Sequence, residues 1–256
     1  MRFSRPTLLL LTLLYSSSAF SQQPPQRDPQ AVIVLQHAFA AMGATVPSDS
    51  VATGNITLVA GSKTESGSIR ILTRGTGQSA EQIQTSGGTR SVVYSQGLAN
   101  RVDNSGTTPF TLELAASSQT PCLPLVLIAG PLNNPDYAFQ YLGLEALGSA
   151  QTHHLRAWNT FSSTPKLRHI AEFTARDFWI DASSGLVLKL AFVQRAGGGA
   201  EPRIPMEVRY SDYRSVGGVL YPFLIETRYN GTPWATTTIS SVNLNTGLSE
   251  AAFSVQ

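Results

Sequence analysis

The sequence has one cysteine, Cys122, so no intramolecular disulfide can staple the fold. No cysteine stands beside the N-terminal leader, where a bacterial lipoprotein would be acylated, so lipid attachment there is not expected. Charge is also sparse: Asp, Glu, Lys and Arg make up 13% of the residues, and no Lys/Arg cluster occurs. Nucleic acids and anionic membranes are read by concentrated positive charge, and neither is an expected partner. No G-x-S-x-G elbow is present, and the thiol lies in an apolar segment with nothing nearby to activate it. Long apolar runs are missing after the first twenty residues, so no transmembrane segment is expected in the mature chain.

What is present begins with a leader. Arg2 and Arg5 precede the apolar stretch TLLLLTLLY, and Ala19-Phe20-Ser21 places small residues where signal peptidase reads. We expect residues 1–21 to be a cleavable signal peptide, 22–256 a single mature domain, and the location periplasmic. Without Arg2 and Arg5 the 18 basic residues fall to 16, equal to the 16 acidic ones, so the mature chain is formally neutral.

Asp28-Pro29 reads as a helix cap with proline in the first turn. Val32, Leu35, Phe39 and Met42 follow at helical spacing, and Gly43 is a stop. From Ser50 the period changes to short extended runs separated by Gly, Ser and Asn, four of which form an antiparallel meander. TPCLPLVLIAGP reads as a second, short helix, with Thr120 capping, Pro121 in the first turn and Gly130-Pro131 ending it. AFQYLGLEALG and AQTHHLRAW are further strands, and the last third alternates oily and wet residues with tight turns at Gly217-Gly218 and Asn230-Gly231. Ten or eleven strands with short connections require a strongly curled antiparallel sheet.

The polar residues form no reaction centre. His153 and His154 are adjacent on a strand and point to opposite faces, so they cannot share one metal. His169 with Glu172 supplies at most two ligands. Asp177, Asp181 and Asp212 read as turn and edge residues, and the glycine-rich stretch from Arg195 to Pro202 joins two strands where a phosphate cradle would open a helix. The expectation is no enzyme, no metal and no cofactor. By parity Phe178, Ile180, Leu188, Leu190, Phe192, Met206, Val208, Tyr210, Phe223 and Ile225 share the concave face of the final strands. That face is either a packed core or the wall of a cavity for an apolar ligand.

Three phrases then resemble the closing strands of the LolA/LolB family of periplasmic lipoprotein carriers. They are Trp179, Asp181, Gly185 and Leu186; Gly218 and Pro222; and Asn245, Gly247, Leu248 and Phe253, with Asn245 one step nearer the glycine than usual. The likeness runs roughly from Arg176 to Val255. It implies an unclosed antiparallel β-barrel of about eleven strands with a helical lid, and an apolar cavity that receives the acyl chain of a lipoprotein or lipid. In that reading Leu35, Phe39 and Met42 of the first helix and Leu123, Leu125, Leu127 and Ile128 of the second form the lid. At ~0.8 kcal/mol per CH₂, a sixteen-carbon chain in water costs on the order of 12 kcal/mol, which such a cavity removes. The other function consistent with the sequence is an envelope scaffold that binds a protein partner through a sheet edge or the barrel mouth.

Overall fold

A computed structural model of the chain describes residues 26–195 and 203–255. The leader expected at 1–21 and nearly all of the glycine-rich stretch lie outside them. Helix α1 (Pro29–Ala41) starts where the sequence indicates, with the Asp28 carboxylate accepting the Gln30 N–H at 2.8 Å and Pro29 in the first turn. Its buried side is Ala31, Val34, Leu35, Ala38 and Met42, while Val32 and Phe39 lie half-buried at its margin. The buried stripe is thus rotated from the one that spacing alone selects, because the small alanines allow the closest approach.

The meander is β1 (Asp49–Ala60), β2 (Lys63–Arg74), β3 (Gln78–Thr85) and β4 (Gly88–Ser95), continued by β5 (Leu98–Asp103) and β6 (Gly106–Pro109). Two short helices follow, α2 (Leu112–Ser117) and α3 (Pro124–Asn133). Next come β7 (Tyr137–Leu147), β8 (Ala150–Asn159), a 3-10 turn at Pro165–Ile170 and helix α4 (Ala171–Thr174). The chain closes with β9 (Arg176–Asp181), β10 (Val187–Arg195), β11 (Arg203–Val216), β12 (Val219–Tyr229), β13 (Thr232–Leu244) and a last 3-10 turn, Glu250–Phe253. Helix α3 begins three residues later than Pro121 and runs through Gly130 and Pro131. Thr120 does not cap it, because the N-cap position falls on Leu123; the Thr120 N–H donates to the Ser79 hydroxyl at 3.1 Å and the Tyr210 hydroxyl donates to the Pro121 carbonyl at 2.7 Å.

Among the described residues, thirteen strands form one antiparallel sheet in the order β6-β5-β4-β3-β2-β1-β13-β12-β11-β10-β9-β8-β7. The additions to the eleven expected are β5 and β6. The sheet must be curled, since β5 and β10 are eight places apart in that order yet both touch α2. In a flat sheet they would be about 38 Å apart at ~4.8 Å per strand, whereas a helix of six residues is about 9 Å long. The edges β6 and β7 do not pair, so the barrel is unclosed. Ile69 and Ile71 from one half join Leu190 and Val208 from the other, with Leu35 of α1 and Leu125 of α3, in one buried cluster on the concave side. On the convex side Phe253 covers Leu72, Ala80 and Val93 as a smaller patch.

The three C-terminal phrases acquire physical content here. Asp181 accepts both the N–H and the hydroxyl of Ser183 and of Ser184, which fixes the β9–β10 turn. Gly185 has φ +73°, and a Cβ there would come within 2.9 Å of the Ala41 side chain of α1. Gly43, at φ +118°, approaches so near Gly218 that a Cβ would stand 2.4 Å from its carbonyl oxygen, and Leu220 N–H donates to the Met42 carbonyl at 3.1 Å. The third phrase wraps a buried carboxylate: Asp49 accepts from the N–H groups of Thr246 (2.7 Å), Gly247 (2.9 Å) and Leu248 (3.2 Å) and from the Thr246 hydroxyl. Burial alone pushes the Asp49 carboxyl up, but these donors outweigh it and hold it below the usual carboxylate range.

Candidate ligand-binding site

Cross-strand pairing sets the trough. Phe178 faces Leu190, Leu190 faces Val208, and Tyr210 faces Ile225, so one apolar row passes from β9 to β12. Phe178, Ile180, Leu190, Phe192, Met206, Val208, Tyr210, Phe223 and Ile225 are all buried in the concave cluster. Leu188 departs from parity. The register of β10 against β9 slips between Val187 and Lys189, so Val187 takes the buried place opposite Ile180 and Leu188 is half-buried.

The helices fill this trough. Leu35, Met42, Leu123, Leu125, Leu127 and Ile128 are buried against the same strand residues, and Phe39 packs at the border. A pocket of about 70 Å³ persists among Ile56, Ile71, Cys122 and Ile225, enough for water and too small for an acyl chain.

A larger space opens on the other side of α3. A cleft of about 690 Å³ lies between α3, α2, the 3-10 turn before α4 and the β4–β5 turn, within the usual range of small-molecule sites. Val126 and Leu127 of α3 form one wall, and Leu98 and Leu112, 54% and 40% exposed, stand in its lining. Arg176, 9% exposed, is in the same lining together with Tyr94 and Tyr137. Arg176 Nη1 donates to the carbonyls of Phe173 and Ala175, both at 3.1 Å, and Nη2 to that of Ala116 at 3.2 Å. The Phe192 ring lies under the guanidinium, 4.5 Å from its centroid. Burial pushes the Tyr94 phenol up and that of Tyr137 to about 12, so both keep their protons near neutrality.

Other titratable groups are dispersed. Burial pushes the Cys122 thiol up to about 12, leaving it protonated and a poor nucleophile. His153 and His154 face opposite ways: His153 Nδ1 meets the Tyr141 hydroxyl at 2.9 Å, while His154 meets Glu145 at 2.7 Å and stacks on Trp179 with centroids 4.1 Å apart. His169 bonds the Lys166 carbonyl at 2.9 Å, and Glu172 pairs with Arg203, so those two do not act together. Among the described residues no three His, Cys, Asp or Glu side chains gather as metal ligands.

No family model matches the chain, and no curated protein matches its sequence. Solved structures do match. A crystallised domain from Vibrio parahaemolyticus named for outer membrane lipoprotein sorting aligns with a TM-score of 0.59 at 13% identity, over 88% of this chain and 96% of that one. A LolA superfamily protein from Nitrosomonas europaea aligns with a TM-score of 0.57 at 15% identity, over 88% of this chain and 97% of that one. The fold is LolA-like. At such low identity the likeness is one of architecture, an unclosed antiparallel sheet with short helices, and the chemistry must be read from the side chains of this LolA-like chain. Of the cleft, sequence reasoning named Leu127 as a lid residue but missed Tyr94, Leu98, Leu112, Tyr137 and Arg176. Arg176 was nonetheless visible as a charge two and four residues before Phe178 and Ile180, on the parity of an otherwise oily face.

Proposed function

We propose that the protein is a non-enzymatic carrier or sensor of the bacterial envelope that takes up an acyl chain, or a comparable apolar group, between the curled sheet and the lid helices. The observation that carries this reading is the position of α3. One side of it is buried on the apolar floor, and another walls an open cleft of about 690 Å³. A chain entering the cleft can replace α3's contacts with its own methylenes at little net cost, since both are apolar. The signal peptide expected at residues 1–21 supports export, and the architecture shared with a domain named for lipoprotein sorting supports the cargo class. Native mass spectrometry of protein purified from an envelope fraction tests the reading. A retained lipid mass, displaced by a fluorescent apolar probe, is the expected result, and a chain that is always empty and ignores the probe overturns it.

The edge of β7 favours a second reading, a scaffold that recruits a protein by strand addition. Asp28 N–H donates to the Phe139 carbonyl and Phe139 N–H to that of Gln26, covering the start of this edge. Further on, Leu142 and Leu144 are exposed, the latter by 56%, and no strand pairs outside them among the described residues. Co-purification of one stoichiometric protein with no extractable lipid supports this reading over the first.

A further inference from the structure

Among the described residues, Arg176 is a buried cation without an anion. A charged side chain this deep is ordinarily paired, because removing it from water costs several kcal/mol that a counter-charge must offset. Here the carboxylates on the surrounding elements are engaged elsewhere. Glu113 of α2 pairs with Arg195 at 3.3 Å, Glu172 of α4 with Arg203 at 2.8 Å, and Asp177 with Arg156 at 2.7 Å. No carboxylate comes within salt-bridge distance of Arg176 among the described residues. Three carbonyls and the Phe192 ring take up three of the five guanidinium N–H donors and one face, and the remaining two N–H groups have no acceptor among the described residues. The Tyr94 and Tyr137 hydroxyls, whose phenols burial pushes up, keep their protons near neutrality and can donate them. All three residues line the cleft, whose lining also holds Leu98, Leu112 and Leu127 among polar side chains such as Gln96, Gln119 and Asn133.

We propose that this cleft binds an anionic amphiphile, its oxyanion, a carboxylate or a phosphate, seated on Arg176 beside the Tyr94 and Tyr137 hydroxyls and its apolar chain running along the leucines toward α3. The inference rests on the carrier reading and narrows it: the cargo, or one end of it, is negatively charged. The site compensates a cation that the fold has already desolvated, so the charge-assisted bonds form without a second burial penalty on the protein side.

The test measures binding of palmitate, palmitoyl lysophosphatidate, hexadecanol and inorganic phosphate to the full mature chain. The expected result is at least about tenfold tighter binding of one or both anionic amphiphiles than of hexadecanol, about 1.4 kcal/mol, with inorganic phosphate weaker than either. The ratio of palmitate to lysophosphatidate identifies the preferred head. Arg176→Gln is expected to abolish the discrimination, weakening the anionic amphiphiles at least about tenfold and hexadecanol by much less. Because that change also frees three carbonyls, Tyr94→Phe combined with Tyr137→Phe provides a milder variant, expected to weaken the anionic ligands severalfold and hexadecanol less. Equal binding of hexadecanol and the anionic amphiphiles by the wild type overturns the anion site but leaves the carrier reading standing. Binding of inorganic phosphate as tight as that of lysophosphatidate overturns the amphiphile assignment. Failure of all four probes overturns both.

Discussion

Helix α1 is fastened at both ends, whereas α3, packed on the same apolar floor, has no side-chain cap at its start and carries Pro131 inside it. Asp28 caps α1 and also accepts the Tyr141 N–H at 3.1 Å, and the far end is locked by the close approach of Gly43 to Gly218. In α3 the missing N–H of Pro131 leaves a carbonyl one turn earlier without its helical partner. The difference separates two jobs that the sequence assigned jointly to a lid. On the proposed carrier function, α1 is the fixed plug and α3 the part expected to leave when cargo enters.

The largest expected effect tests the fixed end. Gly43→Ala must relieve a 2.4 Å approach to the Gly218 carbonyl at a positive φ, and we expect a loss of about 3 kcal/mol in urea unfolding. Unchanged stability would remove the lock. Asp49→Ala, in the segment that leaves α1, strips the acceptor from three N–H groups and is expected to cost about 2 kcal/mol. The same anchorage makes α1's side acid-sensitive. The folded carboxyls of Asp28 and Asp49 lie below the usual range, Asp28 chiefly through the Tyr141 N–H. Their stabilisation is therefore complete above the unfolded value of about 3.9 and is lost as pH falls through the folded values. Melting curves should drop below about pH 4, and more shallowly in Asp49→Asn. Hydrogen exchange compares the helices directly: central α3 amides should exchange about tenfold faster than those of α1, corresponding to about 1.4 kcal/mol. Pro131→Ala restores a helical N–H and is expected to stabilise α3 by roughly 1 kcal/mol while slowing uptake of an apolar probe. Faster uptake would reverse the roles given to the two helices.

How much could be read in advance followed from how local each signal was. Asp28-Pro29 and Gly43 bracket α1 by their own backbone chemistry, and the structure keeps both marks. The start of α3 was misplaced because Pro121 and Pro124 both suit a first turn, and the choice is made by Ser79 and Tyr210 from distant strands. Strands β5 and β6 were invisible: segments of six and four residues, rich in polar groups, become strands only by pairing with β4 and with each other. Alternation located the concave face of β9 to β12 but failed at Leu188, where a one-residue slip reverses inside and outside. The unpaired state of Arg176 depends on where Glu113, Glu172 and Asp177 turn, which no spacing encodes.

The position of β13 has a consequence for how the molecule is made. The thirteenth strand lies between the first and the twelfth, pairing Ser50 with Leu244 on one side and Leu224 with Thr238 on the other. Until residues 232–244 emerge, the chain holds two unconnected half-sheets with raw margins, and no local hairpin can join them. Joining of the two halves must therefore wait for residues 232–244, which makes it the latest contact in the sheet that chain order permits.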